Sequence, residues 1–252
     1  MYPRNPQATL WLFAYQNLTV ETHVSIVREL LAWPNLHHHV KASDANIDRA
    51  RSKVASAYLQ EKEEDVGSVL LMVDSDNAWK CGDLSVIAKQ ALEMNAVVGG
   101  IYPKRAFGTG MAFRPAQYSV GEYLLGGEDI LIPADFVGTG FVAIPRVVLE
   151  AIGETLPDVA GGFKPFFMPF VIQRDFGTEY PTDDAAFCKR AIDAGFNVYA
   201  STFPTLTHKG EYEYRAVDAE VHPPLDRQVT LTISARPRLV YEDQPHLAIV
   251  AQ

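Results

Sequence analysis

Cysteine is scarce in this 252-residue chain: Cys81 and Cys188 are the two present, far apart and without a Cys-x-x-Cys pairing. That excludes a disulfide framework and suits a reducing compartment, with both thiols expected in packing roles. Positive charge is also short. Lys and Arg number 22 against 31 Asp and Glu, for a net charge of −9, which is not the basic, phosphate-coating surface usual in nucleic-acid binders and leaves room only for a local basic groove. The apolar run "LWLFAY" is too short to span a membrane, and neither a strongly basic leader nor a small-residue cleavage site accompanies it, so a cytoplasmic protein is expected. No Gly-x-x-x-x-Gly-Lys-Ser/Thr loop, Gly-x-Ser-x-Gly elbow, His-Glu-x-x-His helix or Gly-x-Gly-x-x-Gly turn is present, and the chemistries those motifs serve lose their support. Internal repeats and low-complexity tracts are absent as well.

What the chain does have is apolar mass: 48% of its residues are hydrophobic, enough for a large core, read here as one elaborated domain. "TLWLFAY" reads as a buried strand closed by the turn and capping residues of "QNLT". Val24, Val27 and Leu31, with Ile26 and Leu30 beside them, then repeat at helical spacing until Pro34. In "SDANIDRARSKVASAYL", Ile47, Ala50, Val54 and Tyr58 mark a second helix, with Ser43 or Asp44 available as its N-cap. Arg51 lies close to that stripe and needs a carboxylate or a bound anion as partner, since an unpaired buried guanidinium is costly.

"VGSVLLMV" is a continuous apolar run bounded by charge, as in a strand covered on both faces of a parallel sheet. The helix "GDLSVIAKQALEMN" and the strand "AVVGGIY" follow, and this alternation predicts an α/β fold. The segment from Pro103 to Asp135 shows no firm period. "FVGTGFVAI" predicts a strand with glycines at 138 and 140, followed by the helix "PRVVLEAI" with Pro145 at its first position. A second irregular stretch, "GGFKPFFMPFVIQRDFGTEYP", is rich in Phe and reads as a lid or binding loop. "TDDAAFCKRAIDAG" has clear helix ends in Thr182 and Gly195. "FNVYA" is the next strand, and "VTLTIS" alternates like a peripheral one.

Ligands of open α/β sheets collect outside the carboxyl ends of the strands, where "VDSDN" puts Asp74 and Asp76. Two hard oxygen ligands there suit Mg²⁺ or Mn²⁺ with substrate phosphates; the same residues also suit a strand end and a turn cap. Asp183 and Asp184 complement the dipole of the helix they open, or leave one carboxylate free to accept a proton. His208, in "TLTHKG", is either an ordinary surface or core histidine or the completion of a metal site. "HHH" at 37 to 39 reads as a solvated turn. Gly138 and Gly140 either ease a bend or let backbone approach a ligand.

In this order, the pieces resemble the GT-A glycosyltransferases, in particular the small family-2-like enzymes of bacteria and bacteriophages. "NIDRARSKVASAYL" is similar to the family's Arg-bearing helix and "LLMVDSDNAW" to its Asp-x-Asp strand. "VVGGIYPKR" and "FVGTGFVAIP" follow, then "YPTDDAAFCKRAIDAGFNVYA", similar to the acidic-pair helix, and "THKG". The match spans roughly residues 8 to 210, and the resemblance implies a glycosyltransferase domain over 8–215 with residues 216–252 as an extension packed on it.

It further implies a Rossmann-like, mixed but mainly parallel sheet, a nucleotide-sugar donor (most often a UDP-sugar) and a divalent metal, Mn²⁺ or Mg²⁺. Asp76 and His208 would ligate the metal, with Asp74 on the metal, its water or the sugar. Tyr15, Asn17 and Asp44 match the positions for base and ribose, and Arg51 would answer the phosphates. Asp184 matches the catalytic base, with Asp183 in the place of a Glu, and Gly138, Thr139 and Gly140 would line the junction of sugar and acceptor. A single displacement with inversion follows. The processive Gln-x-x-Arg-Trp motif is missing, which speaks against synthesis across a membrane. The acceptor is expected to be a modified DNA base, a protein or a glycan. The aromatic loop from Phe163 to Phe176 would stack on it, and Lys104, Arg105, Arg114, Lys164 and Arg174 would form a local basic rim. A sugar-nucleotide nucleotidyltransferase and a non-catalytic binding module are the competing readings.

Overall fold

Strand β3 (Val69–Asp74) shows how the sheet is built. The alternation of its side chains sends Leu70 and Met72 into one core and Val69, Leu71 and Val73 into another, and all five are fully buried. Each contributes about 2 kcal/mol of apolar burial. The same alternation puts Asp74 on the Leu70–Met72 side, one residue beyond the end of the oily run.

The computed structural model describes residues 6–14, 17–42, 44–105, 110–126, 128–174, 177–210, 213–214, 229–234 and 246–251. Before β3 come β1 (Ala8–Ala14), α1 (Val20–Ala32), β2 (Leu36–Ala42), α2 (Ile47–Gln60) and the single turn α3 (Glu63–Val66). After it come β4 (Asn77–Ala78), α4 (Asp83–Met94), β5 (Val97–Gly100), β6 (Phe113–Pro115), β7 (Gly121–Leu124), β8 (Leu131–Val137), β9 (Phe141–Pro145) and α5 (Arg146–Thr155). The remaining elements are β10 (Ile172–Arg174), β11 (Gly177–Glu179), α6 (Asp183–Asp193), β12 (Val198–Ser201), β13 (Thr207–Lys209), β14 (Glu213–Tyr214), β15 (Val229–Ser234) and β16 (His246–Ala251).

An eight-stranded sheet runs in the order β2-β1-β3-β9-β5-β12-β8-β6. β2, β1 and β3 are parallel, as are β5 and β12, while β9 runs against β3 and β5 and β8 against β12 and β6. One core, with Leu10, Leu12, Trp33 and Ile87, lies on the side of α1 and α4; the other, with Val54, Tyr58, Leu149 and Phe187, lies on the side of α2, α5 and α6. No helix among the described residues is long and apolar enough to cross a membrane.

Several local expectations are corrected. On α1 the side chains that go inside are Thr22, Ser25, Ile26 and Glu29, while Leu31 is 80% and Val20 73% exposed, with Val24 and Val27 also outward. The reason is a polar dock: Thr22 donates to the Asn77 carbonyl at 2.7 Å, Ser25 to that of Trp79 at 2.9 Å, and Glu29 accepts from the Gly82 amide at 2.9 Å. α1 thereby clamps the segment that follows Asp76. The triple histidine is part of edge strand β2 rather than a turn, with His39 stacked on Trp11 at 4.7 Å between ring centroids.

Helix α2 is capped by Asn46, which accepts from the Arg49 amide at 3.3 Å, rather than by Asp44; Ser43 lies outside the described residues. "FVGTGFVAI" is not one strand, because β8 ends at Val137 and β9 begins at Phe141, and Pro145 caps α5 from just outside it. The stretch from Pro103 to Asp135 holds β6, β7 and most of β8, and β10 and β11 pair antiparallel in the second irregular stretch. There Phe166 and Phe167 are fully buried, Phe167 stacked on Phe187 at 4.3 Å, so they are core rather than stacking surface; Phe176 lies outside the described residues. Cys188 packs inside as expected, whereas Cys81 is exposed. β15 sits between β16 and β7, with Leu231 and Ile233 in the α2-side core.

Candidate functional site

A cleft of about 650 Å³ opens at the carboxyl ends of β1, β2 and β3, and Asn17, Asp44, Arg51, Asp74, Asp76, Asp184 and His208 all line it. Its deep wall is a charge cluster around Arg51, which is 4% exposed. Nη2 of Arg51 donates to both oxygens of Asp74, at 2.8 and 2.9 Å, and Nη1 to Asp183 at 2.6 Å and Asp184 at 3.2 Å. Three segments meet here because α2 delivers the cation, the alternation of β3 turns Asp74 toward α2, and Thr182 caps α6 so that Asp183 and Asp184 open it. Arg51's partner is therefore a set of carboxylates, and the phosphate role that the resemblance implied does not fit a guanidinium whose terminal nitrogens are already engaged.

Asp184 accepts three bonds at Oδ1: from Arg51, from the Thr139 amide at 3.2 Å, and from the Thr139 hydroxyl. Among the described residues no hydrogen bond reaches its Oδ2. Burial pushes its carboxyl up to about 6 against the pull of Arg51, with the Asp183 charge adding to the rise. A quarter of the side chain still opens on the cleft. A carboxylate tuned toward neutrality and held by one oxygen has what a general base needs.

The other wall is built differently. β4 pairs with β13 so that His208 faces Asn77, and the Lys209 amide donates to the Asp76 carbonyl at 2.7 Å. His208 Nε2 then lies 3.5 Å from Asp76 Oδ1, and its Nδ1 is 2.9 Å from the Pro103 carbonyl. A carbonyl only accepts, so Nδ1 carries a proton and Nε2 is the nitrogen turned toward the carboxylate. A carboxylate oxygen and an imidazole nitrogen at this separation can share a cation, and a ring whose other nitrogen donates to a backbone carbonyl is the usual form of a metal-binding histidine. A carboxylate with an imidazole suits Mn²⁺ or Mg²⁺ if substrate oxygens complete the shell. Among the described residues no third His, Cys, Asp or Glu joins them in such a cluster; Asp74, the other expected ligand, faces Arg51. Burial acts to raise the Asp76 carboxyl, but the His208 hydrogen bond and the charges of His208 and Arg105 outweigh it and hold it low. Arg105 Nη1 stands 2.8 Å from Asp76 Oδ2.

The glycine loop joins the walls. A Cβ on Gly140 would lie 2.8 Å from Asn77 Nδ2, Asp74 Oδ2 and the Tyr102 hydroxyl alike, and one on Gly138 would lie 2.2 Å from that hydroxyl. The missing side chains let protein groups, rather than a ligand, come close. The Gly140 amide donates to Tyr102 Oη at 3.0 Å, and its carbonyl accepts from Asn77 Nδ2 and the Asp74 amide, both at 2.9 Å. Tyr102 and Asn77 are site residues that the sequence reading missed. An aromatic directly before "PKR", and an Asn directly after Asp-x-Asp, were the available signals.

Asp44 lines the cleft, yet its bonds from Arg49 hold its carboxyl down at about 2. Of the expected basic rim, Lys104 and Arg105 line the cleft, joined by Lys41 at the end of β2. Arg114 instead pairs with Glu179 at 3.2 Å and Lys164 with Asp158 at 3.4 Å. Tyr15 and the side chain of Arg174 lie outside the described residues.

No protein-family model matches the chain, and no curated protein does. Among solved structures, the protein A197 from STIV is similar, with a TM-score of 0.55 at 14% identity over 93% of this chain and 100% of that one. GalNAc-T7 with UDP, GalNAc and Mn²⁺ gives a TM-score of 0.46 at 8% identity, over 84% of this chain and 44% of that one. UTP-bound UGPase from Acinetobacter baumannii gives 0.42 at 8% identity, over 80% and 88%. The likeness to A197 speaks for the fold, an α/β sheet flanked by helices.

Proposed function

We propose that this protein is a metal-dependent glycosyltransferase that moves a sugar from a nucleotide-sugar, with UDP-sugars the first to try, onto an acceptor hydroxyl. The observation that carries the reading is the Asp76 and His208 pair, with His208 Nε2 3.5 Å from Asp76 Oδ1, in the same cleft as Asp184. Asp76 and His208 would hold Mn²⁺ or Mg²⁺, which when bound supplies charge stabilisation for the departing diphosphate. Asp184 takes the proton of the attacking hydroxyl, and a base near 6 is well matched to work at neutral pH. Thr139 and Arg51 hold that carboxylate by one oxygen, which fixes its direction. Attack from the side opposite the leaving group gives a single displacement with inversion.

The test is a panel of nucleotide-sugars with Mn²⁺, followed by nucleoside diphosphate release with and without EDTA. Metal-dependent release supports the proposal, while release of pyrophosphate points to a nucleotidyltransferase. Asp76→Asn should lose metal-dependent donor binding by on the order of a hundredfold; equal donor affinity in wild type and variant would sink the metal assignment.

A further inference from the structure

We propose that Arg105 is the residue that receives the donor's phosphates, and that it is held on Asp76 until a divalent cation displaces it. The inference rests on the metal reading of the cleft. Arg51 cannot do this work, because its Nη atoms bind Asp74, Asp183 and Asp184 and its side chain is buried. Among the described residues, Lys41, Lys104 and Arg105 are the other lysines and arginines that line the cleft. Of these, Arg105 touches the metal-side carboxylate, with Nη1 at 2.8 Å from Asp76 Oδ2.

Two features make that pair exchangeable. The Arg105 side chain is 56% exposed, so solvent screens the attraction and little packing holds the guanidinium in place. His208 approaches Oδ1 of the same carboxylate, so a cation shared by Asp76 and His208 would stand within a few ångströms of Arg105. Like charges so close repel strongly near a protein surface. Cation and guanidinium therefore compete for Asp76, and the one displaced is a planar fork suited to two phosphate oxygens. Arrival of the metal thus frees the group that binds the phosphates.

The experiment is a double-mutant cycle with two probes, Mn²⁺ alone and inorganic pyrophosphate in EDTA, each followed by calorimetry. Arg105→Gln should bind Mn²⁺ about tenfold tighter than wild type. Asp76→Asn, which frees the guanidinium, should bind pyrophosphate about tenfold tighter than wild type, and Arg105→Gln should cost more pyrophosphate affinity in the Asp76→Asn background than in wild type. Unchanged or weaker Mn²⁺ binding by Arg105→Gln overturns the inference. So does an equal loss of pyrophosphate affinity in both backgrounds, which would mean that Arg105 acts only through general charge. If wild type itself binds no Mn²⁺, the metal reading falls and this inference with it; Mn²⁺ binding that ignores Arg105 removes this inference alone.

Discussion

Asp74 and Asp76 leave the same strand two residues apart and end in opposite circumstances. Asp74 belongs to a cluster in which one buried guanidinium serves three half-buried carboxylates. Asp76 faces a histidine and a half-exposed arginine that solvent can reach. The first arrangement is costly to open, since removal of its buried cation leaves three half-buried carboxylates facing one another, whereas in the second an exposed guanidinium can swing away. A cleft that has to hold a base still and also admit a charged ligand needs one wall of each kind.

The two walls differ most at Arg51. Arg51→Met leaves Asp74, Asp183 and Asp184 without their cation and should cost about 3 kcal/mol of stability, read as a drop in the urea midpoint at constant slope. Asp76→Asn, measured alongside, should stay within about 1 kcal/mol of wild type. Equal losses in the two variants would erase the distinction between the walls.

Next comes the base. Asp184→Asn should lower turnover by about 10²- to 10³-fold while leaving Mn²⁺-dependent donor binding intact. In the wild type, the base works only when deprotonated, so turnover should climb with pH below about 6 and level off above it. A rate that is flat with pH between 5 and 7 would remove Asp184 from the base role.

The mildest test lies outside the cleft, at a buried carboxylate that pairs with no arginine among the described residues. Asp83 accepts from the amides of Lys80 at 3.1 Å and Thr205 at 3.0 Å, and burial pushes its carboxyl up to about 6. A carboxyl raised in the folded state favours folding most when protonated, so its contribution is full below about pH 4 and is lost as pH rises through about 6. Asp83→Asn keeps an acceptor for both amides and should gain on the order of 2 kcal/mol over wild type at pH 7.5, a gain that fades by pH 4. Thermal unfolding of both proteins at the two pH values measures it, and a gain independent of pH would contradict the burial argument.

Where a signal is local, the sequence carried it. The run from Val69 to Val73 announced a strand covered on both faces, and Thr182 with Gly195 bracketed α6. Of the candidate site residues, Arg51, Asp74, Asp76, Thr139, Asp184 and His208 do meet around one cleft. What stayed hidden depends on contacts between distant segments. Arg51 advertised a need for a partner, but the choice between carboxylate and phosphate was made 23 and more than 130 residues away. Val24, Val27 and Leu31 of α1 point outward because Thr22, Ser25 and Glu29 find partners in the 77–82 segment, which no period within the helix reveals. The histidine triplet misled for a similar reason, since polar side chains are tolerated on an edge strand that solvent reaches.

Gly140 has a meaning in evolutionary terms. A single methyl there would press at once on Asp74 and Asn77, from the turn between β3 and β4, and on Tyr102, so no one of them could relieve the crowding alone. These four positions should drift as a block: wherever a relative keeps the asparagine, the aspartate and the tyrosine, the glycine should persist, and wherever the glycine is lost, all three neighbours should have been rewritten.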